Sequence, residues 1–570
     1  MHVKEPFVRA KWSNARFQVR ALLLVAAVLA ALCGTSRADE QSDAYVEGLI
    51  RAFEQPPAAA RELTLAQAIH TAVANNPGIR AQRLSPRGDR WLAVAAAAAY
   101  DPRLTLSAAA TSARIPTANV LAGVAVGERE PLRRDEASAD ITLSKQFATG
   151  TAVDLSWRNV RRATNSAFQA LVPEFEPQLG VTVTQPLLKN FGGISTRTAV
   201  ETARNTGRRS AALFEAALSD FVASVIDAYW NLSEAQADLE VREHALALAK
   251  ELVEEATARV RIGTLPPIAV REARADLAAR EEEAIAARNR REVAARALQY
   301  LVMLADRPGG PPQPVRPVER HRVEERPIDK TASLRTALAK RAELRAARID
   351  LENARAELRR ARNELLPSLT LTGNYTLLGL GGIERPVEVP AGSGDVAVAA
   401  LAASEPEAYG DALDTLVSRD FFRYSIALEL EVPFSNAAAR ANYERAAVAV
   451  RAAKARLEQI VSDVALEIER AVADVTSATK RVFAARLARE LAEENLRNQK
   501  KRYDVGMVTT TDVLRFQDKV VAAMAAEVRA VADHARAEAR LARAEGTLLE
   551  RYGIETESGQ APETPWWLRR

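Results

Sequence analysis

Few side chains in this 570-residue sequence are spaced to make or break a bond. Beyond the N-terminal leader, His70, His244, His321 and His534 are dispersed, with no second ligand at the helical or loop spacing a metal site requires. The glycines of Asp306-Arg307-Pro308-Gly309-Gly310 are followed by no Lys-Ser/Thr pair and open no helix, so they do not cradle a phosphate. No serine sits in a nucleophile elbow, and carboxylates are too numerous on helix faces for a catalytic pair to stand out. Stretches such as Arg280-Glu281-Glu282-Glu283 read as solvated helix faces. What remains is charge beside a turn: Asp512 follows Tyr503-Asp504-Val505-Gly506, and Arg515 lies three residues further on, within pairing reach on one helix face. Asp512 suits a helix N-terminus, where a carboxylate balances the dipole. The pattern indicates no enzyme, no cofactor and no metal, and any energy the function needs must come from a partner.

Long helices position that turn. Leu218, Val225, Leu232, Leu239, Leu246 and Val253 recur every seventh residue beside a seam of Phe214, Phe221, Ala228, Ala235, Arg242, Ala249 and Ala256. Far downstream, Val461, Ile468, Val475, Val482, Leu496 and Tyr503 repeat the rule with one gap at Arg489, beside Leu457, Val464, Ala471, Ala478, Ala485 and Ala492. A large residue on one seam and alanine on the other means supercoiled helices in close approach. The pattern predicts helices over about residues 198–262 and 437–504, each about 100 Å long at 1.5 Å per residue. Each ends at a glycine breaker, Gly263 or Gly506, and the chain returns through Ile268 to Leu304 or Asp512 to Tyr552. Each half therefore contains a helical hairpin with a tight tip.

Ahead of each hairpin the order is helix, proline, strand. In the first half a helix closes at Asn75-Asn76-Pro77, a second runs to Tyr100, and Asp101-Pro102 leads into alternating Arg103–Ser107. In the second half a single helix from Ser333 runs to Leu366, and Pro367 leads into Ser368–Thr372. The returning strands are Leu179–Pro186 and Tyr424–Pro433. Leu369, Leu371, Tyr375 and Leu377 share one face against Ser368, Thr370, Thr372, Asn374 and Thr376; Tyr424, Ile426, Leu428, Leu430 and Val432 oppose Ser425, Ala427, Glu429 and Glu431. About ten residues suffice for a tilted strand to cross an outer membrane, with its apolar face to lipid. Strands in lipid must form a closed sheet, and so few per chain demand several chains. A further hairpin, Ile141–Phe147 and Thr151–Trp157 within residues 139–158, is expected to rise above that barrel on the outer surface rather than enlarge it.

The first residues read as an export signal: basic positions, an apolar run from Ala21 to Leu32, then Ser36-Arg37-Ala38. That segment holds six basic residues and one acidic residue of a chain whose net charge is +4, leaving the remainder near −1. A nucleic-acid partner loses its main support. The single cysteine, Cys33, lies in the apolar run, and the bulky Leu32 before it argues against a lipid anchor. The parse is signal 1–38, first repeat 39–304, Pro-rich linker 305–330, second repeat 331–553 and loose tail 554–570.

The arrangement resembles the TolC-like family of outer-membrane efflux proteins. The residues that carry the likeness are Asn75-Asn76-Pro77, Gln185-Pro186-Leu187-Leu188 with Phe191-Gly192-Gly193, the Pro367 and Pro433 boundaries, and Tyr503-Asp504-Val505-Gly506 followed by Asp512-Val513-Leu514. The resemblance implies a mainly α fold with a transmembrane β portion, built from two internal repeats. It implies a homotrimer with a helical periplasmic barrel, in which four strands per subunit build one shared twelve-stranded outer-membrane β-barrel. Function would be that of a passive duct in tripartite efflux or type I secretion, with a periplasmic adaptor (membrane fusion) protein, an inner-membrane pump and outer-membrane lipid as partners. Gly263, Thr264, Gly506 and Met507 become the docking tips. Tyr503 and Asp512 match gate positions of the family, while a second aspartate of the best-known member falls on Arg515 here. The competing readings are a periplasmic adaptor or a pore-less coiled-coil envelope scaffold; an adaptor has one hairpin flanked by β domains, and this chain has two.

Overall fold

The computed structural model describes residues 60–116, 131–166, 169–304, 313–325, 327–385, 404–505 and 507–555. The expected signal with Cys33, residues 305–312 of the linker, Gly506 and the tail from 556 lie outside them. In the first half the elements are β1 (Arg61–Leu63), α1 (Leu65–Asn75), α2 (Pro77–Ala97), β2 (Arg103–Ile115), β3 (Leu132–Gln146), β4 (Ala152–Thr164), β5 (Leu171–Pro186), α3 (Ile194–Arg261) and α4 (Ile268–Val302). The second half has β6 (Val315–Pro317), α5 (Lys330–Lys340), α6 (Ala342–Asn363), β7 (Ser368–Leu378), β8 (Gly381–Glu384), α7 (Glu405–Ser418), β9 (Phe422–Glu431), α8 (Ala437–Asp504), α9 (Thr510–Glu545) and α10 (Leu548–Arg551). The two long helices, α3 and α8, are each 68 residues.

The entry helices are duplicated too. Thr64 caps α1: its hydroxyl accepts from the Gln67 amide at 3.3 Å, and the Gln67 side chain accepts from the Thr64 amide at 3.1 Å. The helix stops at Asn76 because the next residue is proline, which pushes its predecessor out of the helical region and opens α2 instead. In the second half the single expected helix is two, α5 and α6, broken at Arg341 (φ −60°, ψ 128°) without a proline. Arg341 is buried there, bound to Glu343 at 3.0 Å and to Glu467. A break held by an ion pair leaves no punctuation in the sequence.

The chain forms two compact units, each drawn from both halves. One comprises residues up to Asn76, Ser224–Val323 and Arg481–Arg536. Here the heptad seams close: Val225, Leu232 and Val482 are wholly buried. Arg242 binds Glu283 at 2.9 Å between α3 and α4, and Arg481 binds Asp533 at 2.7 Å between α8 and α9. Part of the expected linker is structured, since β6 pairs in parallel with β1.

The other unit comprises Pro77–Ala223, Glu324–Lys480 and Ala537–Arg570. Its helical core gathers Ala337, Leu344, Val464, Ile468, Val472 and Ala544. Its sheet runs β2-β3-β4-β5-β7-β9, antiparallel throughout, with β8 added to β5. This corrects the expectation for the extra hairpin. β3 and β4 lie inside the sheet between β2 and β5, so they enlarge it, and the described chain contributes six strands to the path rather than four.

Candidate functional site

The sheet's register builds a wall with two different faces. One cross-strand row is Leu106, Ile141, Trp157, Leu179, Leu377 and Phe422; the next on that face is Leu104, Leu143, Leu155, Val181, Tyr375 and Tyr424. Between them, on the opposite face, run Thr105, Thr142, Ser156, Gly180, Thr376 and Arg423. Each row crosses all six strands, β3 and β4 included. The two-residue period of a strand allows nothing else once the register is set. On the polar face a Cβ on Gly180 would stand 2.9 Å from the Ser156 hydroxyl oxygen, so that side chain would have to turn away. Asn374 donates to the Thr182 hydroxyl at 2.8 Å on the same face.

Past these rows, β2 to β5 continue and both faces turn charged or covered. On the polar face Arg158 reaches Asp140 at 3.6 Å, and Arg162 binds Glu176 at 2.7 Å and Glu136 at 3.4 Å. On the other face α7 lies against the strands. Its Ala408 carbonyl would stand 2.4 Å from a Cβ on Gly381, which only glycine permits. Tyr409 meets Phe175 edge-on at 5.6 Å, and Glu405 binds Arg161 at 2.8 Å. Among the described residues the end strands β2 and β9 each pair on one side only, and Leu106, Tyr424 and Ile426 are 68%, 70% and 78% exposed.

The hairpin tips belong to the other unit. Gly263 (φ +78°) ends α3 in the left-handed conformation, with the Thr264 amide and hydroxyl both donating to the Arg259 carbonyl at 2.9 Å. At the second tip the Met507 amide donates to the Arg502 carbonyl at 2.9 Å, the same five-residue step. Exposed Ile262, Ile268, Val505 and Met507 make both tips apolar.

Tyr503 is buried. Its hydroxyl lies 3.3 Å from that of Thr510, and the Arg259 guanidinium sits 4.7 Å from the centre of its ring. Asp512 stands in the first turn of α9 and accepts from the Thr509 hydroxyl at 2.8 Å and the Thr509 amide at 3.0 Å. Those hydrogen bonds first, then the positive charge of Arg515 and Arg502, hold its carboxyl below the usual range. Arg515 is exposed and acts on Asp512 through its field; the carboxylate is taken by Thr509.

Sequence spacing missed the ties between the hairpins. Thr511 donates to Glu272 at 3.0 Å, and Leu514 packs against Leu252, Ala256 and Ala273. Arg280, expected on a solvated face, is buried and binds Asp276 at 3.2 Å, Glu283 at 3.3 Å and Asp518. Glu281 and Glu282 are exposed as expected. Arg280 falls seven residues from buried Ala273 and from buried Ala287, and its partner Asp518 on α9 is far away in sequence. The dispersed histidines are also not all apart: His321 and His534 meet at 2.8 Å.

The family model described as outer membrane efflux protein matches residues 175–302 and 333–547, more than half of the chain. The chain belongs to the outer membrane efflux protein family. The match starts within β5, so β2, β3 and β4 fall before it. Among solved structures, this outer membrane efflux protein is similar to the CmeC outer membrane channel of Campylobacter jejuni (17% identity, 87% of each chain covered, TM-score 0.57). It is also similar to VceC of Vibrio cholerae (19% identity, 85% of this chain and 96% of that one, TM-score 0.56) and to the open-state MtrE channel of Neisseria gonorrhoeae (21%, 85% and 89%, TM-score 0.55). No curated protein sequence matches. Family and fold are those of channel proteins rather than enzymes. Among the described residues no helix is long and apolar enough to cross a membrane.

Proposed function

We propose that three copies of this chain close into a passive outer-membrane exit duct, with the helical hairpins in the periplasm. An adaptor protein would dock at Gly263, Thr264, Gly506 and Met507, an inner-membrane pump of an efflux or type I secretion system would supply the energy, and Asp512 and Arg515 would line the inner mouth with Tyr503 packed behind them. The observation that carries the reading is the pair of unbroken apolar rows across six strands whose two end strands lack an outer neighbour among the described residues. Such a sheet exposes apolar side chains on one face and unpaired backbone at both edges, a combination that lipid and ring closure together resolve. The six strands alternate in direction, so β9 of one copy meets β2 of the next antiparallel and the ring closes without a parallel joint. Three copies then give about 18 strands, within the range of bacterial barrels and wider than the twelve first implied.

Exposed Phe483, Leu487 and Leu491, at four-residue spacing on α8, offer an apolar stripe to a neighbouring copy. Replacing Leu428 and Leu430 together with Asp tests the lipid-facing assignment. A carboxylate on the lipid face costs less than the about 2–4 kcal/mol of a basic residue at midplane, but two in each of three copies add together, so the variant should be absent from the outer-membrane fraction and should yield no heat-modifiable trimer. Wild-type levels of membrane-assembled trimer from this variant would refute the duct.

A further inference from the structure

We propose that His321 and His534, with Glu538, form a binding site for a borderline divalent transition-metal ion such as Zn²⁺. His321 Nε2 and His534 Nδ1 are 2.8 Å apart although 213 residues separate them in sequence. Glu538 follows His534 by one turn of α9, with a carboxylate oxygen within 4.8 Å of the His534 ring nitrogen. Two imidazoles and a carboxylate suit Zn²⁺, Cu²⁺ or Ni²⁺ and are a poor set for Ca²⁺ or Mg²⁺, which prefer oxygen shells.

The surroundings hold the ligands in place. His534 is buried, 1% exposed, on a helix face that packs inward. His321 follows β6 in a segment without regular structure, yet it is tied down twice through α3. The Glu319 amide donates to the Tyr229 hydroxyl at 3.2 Å, and that hydroxyl donates to the Leu63 carbonyl at 3.1 Å. Trp230 meets the His321 ring edge-on at 5.4 Å. These contacts limit the movement of the His321 ring before any ion arrives.

Without metal, one imidazole donates its proton to the other. For both near nitrogens to present lone pairs, that proton moves to the far nitrogen of its own ring. The metal then enters between them, and the rings part to about 3.3 Å, the separation set by two Zn–N bonds in tetrahedral geometry. Three protein ligands leave one position for water or another donor. A bound ion would pin the segment between the two repeats onto α9.

The test is titration of the chelator-treated full-length protein in detergent with Co²⁺, read by its visible absorption, followed by displacement with Zn²⁺. The expected result is about one equivalent per chain, with affinity reduced roughly ten-fold or more in His321→Asn and in Glu538→Gln. The His70→Gln/His244→Gln double variant should bind as the native chain does. His534→Gln sits in a packed position and can fail to fold, so the His321 and Glu538 variants decide, with helicity by circular dichroism as the folding control. Absence of the Co²⁺ band in the native protein, or equal affinity in both ligand variants, would overturn the site and leave a hydrogen-bonded histidine pair. Neither result bears on whether the chain forms a duct, which the Leu428/Leu430 variant decides separately.

Discussion

The entry, long and returning helices of the two halves match almost residue for residue, and the strands do not. Entry helices of 11 and 21 residues in the first half face 11 and 22 in the second, and returning helices of 35 face 36. The first half contributes four strands to the sheet path and the second only two. A heptad helix is locked along its length to neighbours of equal length, so an insertion would displace every later seam residue. A sheet accepts additions in pairs. A hairpin such as β3-β4 keeps the inside-outside alternation and returns the chain to the same side, which leaves the antiparallel closure intact.

The strongest test of that contrast removes the inserted pair. Deleting residues 132–164 should leave an assembled trimer whose barrel diameter falls by about a third, because diameter grows roughly linearly with strand number. Electron microscopy of the purified particle would measure it, and an unchanged diameter would mean that β3 and β4 do not belong to the ring.

A smaller effect tests the entry helices, where Pro77 makes the break in one half and Arg341 in the other. Arg341→Ala removes the buried cation between Glu343 and Glu467, both a third exposed and Glu467 keeping Arg543 at 3.2 Å, at a cost of about 2–3 kcal/mol. Amide exchange across Ala337–Ala346 should quicken on the order of 100-fold, while the α1–α2 junction keeps its protection. Equal change at both junctions would show that the two breaks are not independent.

The smallest effect is expected at the tips. Counting from the two glycines, Tyr503 and Asp512 of the second half correspond to Val260 and Ala269 of the first, so the proposed mouth chemistry would be carried by one tip of each pair. Asp512→Ala should weaken cation block of single-channel current several-fold, with little change in assembly. Because its carboxyl is held below the usual range, native block should persist as pH falls through the ordinary carboxylate range and vanish only below it. A current unaltered by the substitution would remove Asp512 from the mouth.

Much of this architecture can be read from residue order alone. Heptad seams located both 68-residue helices to within a few residues, because burial of one face every seven positions is a local periodicity. Alternation marked the apolar faces of β7 and β9 for the same reason. Residue order could not say whether Ile141 and Trp157 lie in the sheet or above it, since each strand's neighbours are set by pairing at long range. The break at Arg341 also lacked a signal, because the residue that completes its ion pairs, Glu467, is 126 positions away. His534 and Glu538 stand at helical spacing in plain view, yet the approach of His321 comes only from the fold. Local periodicity follows from the chain's own geometry, whereas the joining of distant segments is decided by which surfaces they bury together.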